Sequence, residues 1–289
     1  MNKSGTICLF NSNTTWGGGE KWIQETGITL SVNNYTVVVC ANSFSDLYNN
    51  LTNSRLRVIP VSLVNLSYLN PLKILSLYRI FKKLQVDTIV LGLSQDLKAA
   101  GLAAKLAGVR QIIYRRGLAN PIKNNLINRF YFRHIVTKVI ANSEEVKRSL
   151  LIRNSFLINS SDIHIIYNGI NIADTLTKDK KLNGSPVIIG NVGRLIEGKG
   201  QKHLIELAAN LKEHKFDFLI KIVGIGKMRH QLEEYAKKLK VDNFIIFEEF
   251  LNDTSNFYNE IDIFVFPSPE TSSKRYSLAP PTGSHSNLT

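Results

Sequence analysis

Several features that would assign this chain to a class at once are scarce or missing. It has two cysteines, Cys8 and Cys40, both inside apolar, strand-like runs and neither beside a group of histidines. This usage excludes a disulfide scaffold and a cysteine zinc site, and it predicts two buried thiols in a reducing compartment. No run reaches the ~18 apolar residues of a transmembrane helix, and the first ten residues lack the apolar core of a signal peptide. We therefore expect a cytoplasmic protein.

Acidic residues are also in short supply, with 23 Asp and Glu against 36 Lys and Arg and a net charge of +13. Such an excess predicts an anionic partner, such as nucleic acid, anionic lipid or a phosphorylated substrate. The aromatic–basic interleaving of single-strand-binding proteins is missing, so we expect no nucleic acid.

The positive charge is concentrated in one stretch, where ten basic residues are opposed only by Glu144 and Glu145. An anionic acceptor or an anionic membrane surface is one interpretation, and an ordinary solvated surface is the other. The basic residues are Arg110, Arg115, Arg116, Lys123, Arg129, Arg133, Lys138, Lys147, Arg148 and Arg153.

Short apolar runs alternate with helical patterns along the chain, which is typical of parallel sheets with helical crossovers. The pattern lapses in a polar stretch near Lys178 and then restarts with four strands and three helices. The last of these strands, Ile263–Phe266, is predicted to be buried. The sequence thus predicts an α/β protein with two Rossmann-like, doubly wound domains. We place the first at 1–175, a linker at 176–185, the second at 186–270 and an irregular tail at 271–289.

Ligands of open α/β sheets bind beyond the carboxyl ends of the strands, and a run of glycines follows the first predicted strand there. Gly17, Gly18 and Gly19 separate this strand from a helix. They allow a close approach of backbone to ligand and leave the first N–H groups of the helix free for an anion. The alternative is a simple turn, for which one glycine would suffice.

Two more glycine-bearing strand ends follow in the second half. The segment Gly190–Gln201 carries Arg194 and Lys199, which could hold a diphosphate, Arg as a fork and Lys as a point charge; the alternative is two exposed cations. The other segment has Gly224 and Gly226 in a Gly-x-Gly pattern without the third glycine of a dinucleotide fingerprint, which alone is weak evidence.

Taken together, these segments resemble a known family. The order and spacing of "VGRLIEGKGQKHLIELAANL", "IVGIGKMRHQLEEYAKKL" and "DIFVFPSPE" are similar to the donor-binding domain of retaining group 1 (glycogen-synthase-like) glycosyltransferases of the GT-B fold. Near the N-terminus, "WGGGEKW" resembles their Gly-Gly-x-Glu loop. "VIANSEEVKRSL" and "IIYNGINI" resemble the segments that precede their second domain.

The resemblance implies a nucleotide-diphosphate-sugar donor, retention at the anomeric carbon and chemistry without a metal or other cofactor. Arg194 and Lys199 would bind the diphosphate and stabilise its charge as it leaves. Glu270 would contact the donor sugar, and Ile245–Leu251 would lie near the base. The donor site would also include the glycines Gly17, Gly18, Gly19, Gly193, Gly224 and Gly226.

The sequence departs from the family pattern after Glu270. Leu278 stands eight residues later, where the family has a second glutamate that holds the ribose. Pro280 and Pro281 forbid a regular helix interior where the family has a helix. We therefore expect the second domain to be truncated and the tail to be irregular, with an activity that is slow or absent.

The leading hypothesis is a glycosyltransferase of lipopolysaccharide or surface polysaccharide biosynthesis. Its partners would be a nucleotide-sugar, an anionic glycan or lipid-linked acceptor, and the inner face of the cell membrane. Two alternatives remain open: a non-catalytic anion-binding protein with the same fold, and a sugar-nucleotide epimerase, which would need acid/base carboxylates in its cleft.

Overall fold

The computed structural model describes residues 3–152, 154, 157–169, 185–251 and 254–268. The chain divides into two compact units, Met1–Ile170 (unit 1) and Asn171–Thr289 (unit 2). Most of the predicted linker, Glu270 and the predicted tail lie outside the described residues. The four segment boundaries given above therefore stay predictions.

Unit 1 contains a seven-stranded sheet in the order β3-β2-β1-β4-β5-β6-β7, and all neighbouring strands pair in parallel. Its strand order reverses between β1 and β4, which makes the carboxyl ends of these two strands the topological switch point. The strands are β1 Lys3–Asn11, β2 Tyr35–Asn42, β3 Arg57–Val61, β4 Val86–Leu91, β5 Gln111–Arg116, β6 Lys138–Ala141 and β7 Ile163–Ile165.

The helices of unit 1 connect these parallel strands. A π-helical turn, Leu97–Gly101, joins α4 to α5. Side chains of Ser45, Asn70, Asn125 and Ser143 accept backbone N–H groups at the starts of α2, α3, α6 and α7, because each supplies an oxygen to a helix end that lacks partners. The helices are α1 Gly18–Val32, α2 Asp46–Thr52, α3 Pro71–Lys83, α4 Ser94–Asp96, α5 Leu102–Leu106, α6 Leu126–His134 and α7 Glu144–Leu151.

Apolar side chains from both faces of this sheet are buried, with Phe10, Phe81 and Ile89 among those fully buried. Cys8 and Cys40 lie within the same core as free, buried thiols whose sulfurs are 3.7 Å apart. The prediction of two buried, unbridged cysteines is confirmed.

Unit 2 contains a parallel four-stranded sheet in the order β10-β9-β8-β11. The predicted series of four strands and three helices is confirmed for this part of the chain, and the second sheet is small. The elements are β8 Val187–Val192, α8 Gln201–Glu213, β9 Phe218–Val223, α9 Arg229–Lys238, β10 Ile245–Glu248, α10 Ser255–Glu260 and β11 Ile263–Phe264.

The prediction of a buried strand at Ile263–Phe266 is wrong. Strand β11 has only two residues, and Ile263, Phe264 and Phe266 are 49%, 39% and 48% exposed. The reason is its place in the sheet: β11 pairs with β8 on one side, and no described strand lies on the other. None of the helices in the described ranges is long and apolar enough to cross a membrane.

Candidate functional site

The loop between β8 and α8 carries both predicted phosphate-binding cations. Lys199 stands between Gly198 and Gly200, whose φ angles of 85° and 74° are left-handed and favour glycine. The buried side chain of Gln201 donates through Nε2 to the Arg194 carbonyl at 3.2 Å and so anchors the start of the loop. The backbone of the loop is thus fixed at both ends by local sequence.

The charges of this loop are open to a ligand. Arg194 is exposed and Lys199 is half-buried, and neither forms an ion pair with another residue that the structure describes. The ammonium of Lys199 lies 5.1 Å from the centre of the Phe266 ring, a contact that still leaves its N–H groups free to donate. Two unpaired cations on one strand-end loop can attract a diphosphate.

Gly224 and Gly226 follow β9 and lie against the same loop. A Cβ on Gly224 would come within 2.0 Å of the Gly193 carbonyl oxygen, and one on Gly226 within 2.1 Å of the Leu195 oxygen. Backbone bonds join the two loops: Gly193 N–H donates to Val223 at 3.0 Å and Leu195 N–H to Ile225 at 2.9 Å. Close packing of the two loops therefore explains both glycines, and their donor-binding role stays a prediction.

The glycine run of unit 1 has no such packing reason. Gly17 is the N-cap of α1, and Gly18 is its first residue. An ideal Cβ on Gly18 or Gly19 would meet nothing within 4 Å, and none of the three has a positive φ. Their glycine character is thus not required by the part of the fold that the structure describes.

Glu20, in the first turn of α1, joins this helix to the end of β1. Its buried carboxylate accepts from Asn11 Nδ2 at 2.9 Å and from Asn13 Nδ2 at 3.0 Å. Its role in this network was not predicted, although it belongs to the quoted Gly-Gly-x-Glu segment. The contact is structural in kind, because both amides lie on the strand end itself.

A buried arginine lies near Glu20. The guanidinium of Arg115 stacks on Trp22, 4.0 Å from the ring centre, and donates to Asn168 Oδ1 at 2.8 Å. Burial lowers the pKa of Arg115 to about 10, and the negative charge of Glu20 acts in the opposite direction. Arg115 is therefore charged at neutral pH but is no part of an open basic surface.

Asp96, at the end of α4, reaches the switch point and is fully buried. Its Oδ1 accepts from the Ser12 hydroxyl and its Oδ2 from the Ser12 N–H at 3.2 Å, while Gln95 Nε2 donates to the same hydroxyl at 2.7 Å. Burial raises the pKa of Asp96 to about 7, helped by the charge of Glu20 and opposed by the Ser12 bonds. Ser12 and Gln95 also line a cleft of about 440 Å³.

The described residues collect five of the predicted site residues at one edge of unit 2: Gly193, Arg194, Lys199, Gly224 and Gly226. Gly17, Gly18 and Gly19 lie at the matching edge of unit 1. Glu270 lies outside the described residues. Within the described ranges, no three His, Cys, Asp or Glu side chains are grouped to hold a metal ion.

Two parallel α/β sheets with ligand-type loops at their carboxyl ends define the GT-B class of protein, and solved structures share this fold. A glycosyltransferase from Rickettsia africae matches 91% of this chain and 73% of its own at a TM-score of 0.72 and 21% identity. Anabaena HepE, solved with UDP and glucose, gives a TM-score of 0.70 at 18% identity over 90% of this chain and 73% of its own. The lipopolysaccharide outer core galactosyltransferase WaaB gives 0.65 at 16% over 90% and 72%.

Family models identify the chain more closely. The model of Glycosyltransferase Family 4 matches residues 16–174, more than half of the chain, and that of glycosyl transferases group 1 matches residues 173–270. The chain belongs to Glycosyltransferase Family 4.

Curated relatives are more distant and longer. The Escherichia coli O-antigen biosynthesis glycosyltransferase WclY is 29% identical over 121 residues, 39% of this chain and 33% of its own. An uncharacterized glycosyltransferase from Haemophilus influenzae is 26% identical over 66% of this chain and 53% of its own. A Campylobacter jejuni enzyme that acts on a diphospho-undecaprenol-linked sugar is 27% identical over 50% and 40%. The chain thus spans about half or less of the length of these relatives.

Proposed function

We propose that this protein transfers a sugar from a nucleotide-diphosphate-sugar to a glycan or lipid-linked acceptor, with retention at the anomeric carbon. The process would be lipopolysaccharide or surface polysaccharide biosynthesis at the inner face of the cell membrane. Support comes from the family and from the names of two relatives, one of O-antigen biosynthesis and one with a lipid-linked acceptor.

The observation that carries the proposal is the β8–α8 loop, which lies inside the segment matched by the group 1 model. Cleavage of the sugar–phosphate bond leaves negative charge on the departing diphosphate. Arg194 and Lys199 would stabilise this charge from positions that the loop has already fixed, so little reorganisation is needed as the charge develops. Glu270 would contact the donor sugar, and no metal ion takes part.

Titration with UDP tests this assignment directly. We expect the protein to bind UDP, and we expect Arg194→Ala and the Arg194→Ala/Lys199→Ala double variant to lose binding, since each charge-assisted hydrogen bond contributes about 1.5–3 kcal/mol. Lys237→Ala is the matched control, because Lys237 is a 64%-exposed cation in the last turn of α9, paired with Glu234. Unchanged affinity in the double variant would reject the phosphate assignment.

A further inference from the structure

A second pocket, separate from every predicted site residue, lies at the carboxyl ends of β4 and β5 in unit 1. It has a volume of about 220 Å³ and is bounded by the loop after β5 and by α6. Its charged lining residues are Lys98, Arg116 and Lys123, and the lining includes no acidic residue. This composition is unusual for a surface cleft and favours an anionic ligand.

The three cations of the pocket have no carboxylate of their own. None of them forms an ion pair with any residue in the described ranges. Other members of the basic stretch are already committed: Arg110 pairs with Asp87, Lys138 with Asp162 at 3.2 Å, and Arg115 stacks on Trp22. The structure thus divides the basic stretch into neutralised residues and residues such as Arg116 and Lys123 that face this pocket.

Arg116 is held in place but is not fully satisfied. Its Nη2 donates to the Asn120 carbonyl at 2.8 Å, and its Nη1 reaches the Tyr114 hydroxyl at 3.4 Å. Its Nε is buried and has no hydrogen-bond partner among the described residues. A buried guanidinium N–H without an acceptor is costly, and an anionic oxygen in the pocket would supply one.

The rest of the lining is apolar. Leu97, Tyr114 and Phe132 form a buried wall, with Ile122 beside them. Beyond the pocket, α6 exposes Leu126, which is 80% accessible, and Phe130, which is 49% accessible. Cations beside an apolar wall fit a ligand that joins a phosphate to a hydrocarbon better than they fit a free sugar or a free inorganic anion.

We propose that this pocket binds a phosphate or diphosphate ester of an apolar alcohol, and that it thereby holds the phosphorylated end of a lipid-linked acceptor. The acceptor role rests on the proposed function, whereas the ligand chemistry follows from the pocket alone. Lys98, Lys123 and the free Nε of Arg116 contact the phosphate oxygens, and the wall of Leu97 and Phe132 contacts the first part of the hydrocarbon.

The test uses the full chain and three probes: farnesyl diphosphate below its micellar concentration, inorganic diphosphate, and vesicles of anionic phospholipid. We expect farnesyl diphosphate to bind about tenfold or more tightly than inorganic diphosphate, because only it fills the apolar wall. The Lys98→Ala/Lys123→Ala double variant should lose about tenfold or more in affinity for farnesyl diphosphate. Arg116→Lys, which keeps the charge but removes Nε, should also weaken binding.

The matched control is Lys83→Ala/Lys105→Ala, which removes the same charge from two exposed positions of unit 1 outside the pocket. It should retain the affinity of the parent for farnesyl diphosphate. Equal losses in the two double variants, or binding of vesicles without binding of farnesyl diphosphate, would overturn the proposal in favour of a diffuse charged surface. Equal affinity for the two diphosphates would also overturn it.

The same variants separate this proposal from the donor assignment. The Lys98→Ala/Lys123→Ala protein should bind UDP as the parent does, and Arg194→Ala should still bind farnesyl diphosphate. Loss of UDP binding in Arg194→Ala together with unchanged farnesyl diphosphate binding in the pocket variant would refute the acceptor pocket alone. The opposite pattern would refute the donor site alone.

Discussion

Asp96 is a carboxyl group held out of water at the point where the strand order of unit 1 reverses. Its two oxygens meet the hydroxyl and the N–H of Ser12, and the nearby charge of Glu20 further disfavours its ionised form. Because its pKa rises from 3.8 to about 7, the folded chain binds this proton more tightly than the unfolded chain does. Asp96 therefore stabilises unit 1 fully only at acidic pH, and its contribution falls as pH rises through the window from about 4 to about 7.

Replacing Asp96 with Asn should remove this pH dependence. The amide keeps the shape of the side chain and can still accept the Ser12 N–H, but it has no proton to lose. We expect the free energy of unfolding of the parent, followed by tryptophan fluorescence in urea, to decline between about pH 4 and pH 7 relative to that of Asp96→Asn. The difference should be on the order of a few kcal/mol. Parallel curves for the two proteins across this window would contradict the buried-carboxyl argument.

At this scale the sequence predicted residues whose environment is local and missed those assembled over long distances. The loop with Arg194 and Lys199 was found because strand, glycines and helix follow one another directly. Asp96 and Ser12 are 84 residues apart in sequence, and the partners of Arg115 lie on α1 and after β7. The only local signal for Asp96 was an acidic residue soon after an apolar strand, which a surface turn would produce equally well.

Among the structural elements, the two glycine-bearing loops make opposite demands. Gly226 has a φ of +159° and touches the backbone of Leu195, whereas Gly19 lies in the first turn of α1 with open space beside it. Gly226→Ala should lower the free energy of unfolding of unit 2 by about 2 kcal/mol or more, since the loop must move and the backbone is strained. Gly19→Ala should leave stability unchanged or raise it by up to about 1 kcal/mol.

These two variants also report on function when UDP binding is measured beside stability. If the backbone of the glycine run approaches the donor, Gly19→Ala should weaken UDP binding in a protein that is as stable as the parent. Full UDP affinity in Gly19→Ala would count against that role. A Gly226→Ala protein as stable as the parent would show that the contact between the two loops is loose.

Element prediction was most accurate where burial is two-sided. All strands with neighbours on both sides were predicted, and the misses were the outer strand β7 and the length and exposure of β11. Helices α2 and α6, with seven and nine residues, are too short for a clear period of 3.6. Helix α3 has thirteen residues, and its start at Asn70 and Pro71 is a recognisable cap that the periodicity argument did not use.

For the whole molecule, the two units have separate apolar cores. The core clusters of unit 1 draw on residues between Ile7 and Ile165, and those of unit 2 on residues between Ile188 and Val265. Both tryptophans, Trp16 and Trp22, belong to unit 1, whereas both units contain helices. Tryptophan fluorescence therefore follows the unfolding of unit 1 alone, and far-UV circular dichroism follows both.

We expect the two probes to give non-coincident urea transitions, because a smaller four-stranded sheet and a seven-stranded sheet have different stabilities. UDP at about 100 times its Kd should stabilise the unit that binds it by ~2.7 kcal/mol. With Arg194 and Lys199 as main ligands, this shift should appear in the circular dichroism transition that fluorescence does not follow. Farnesyl diphosphate should instead shift the fluorescence transition. Coincident transitions that move together with either ligand would mean that the two units unfold as one cooperative body and that neither ligand can be assigned to a unit in this way.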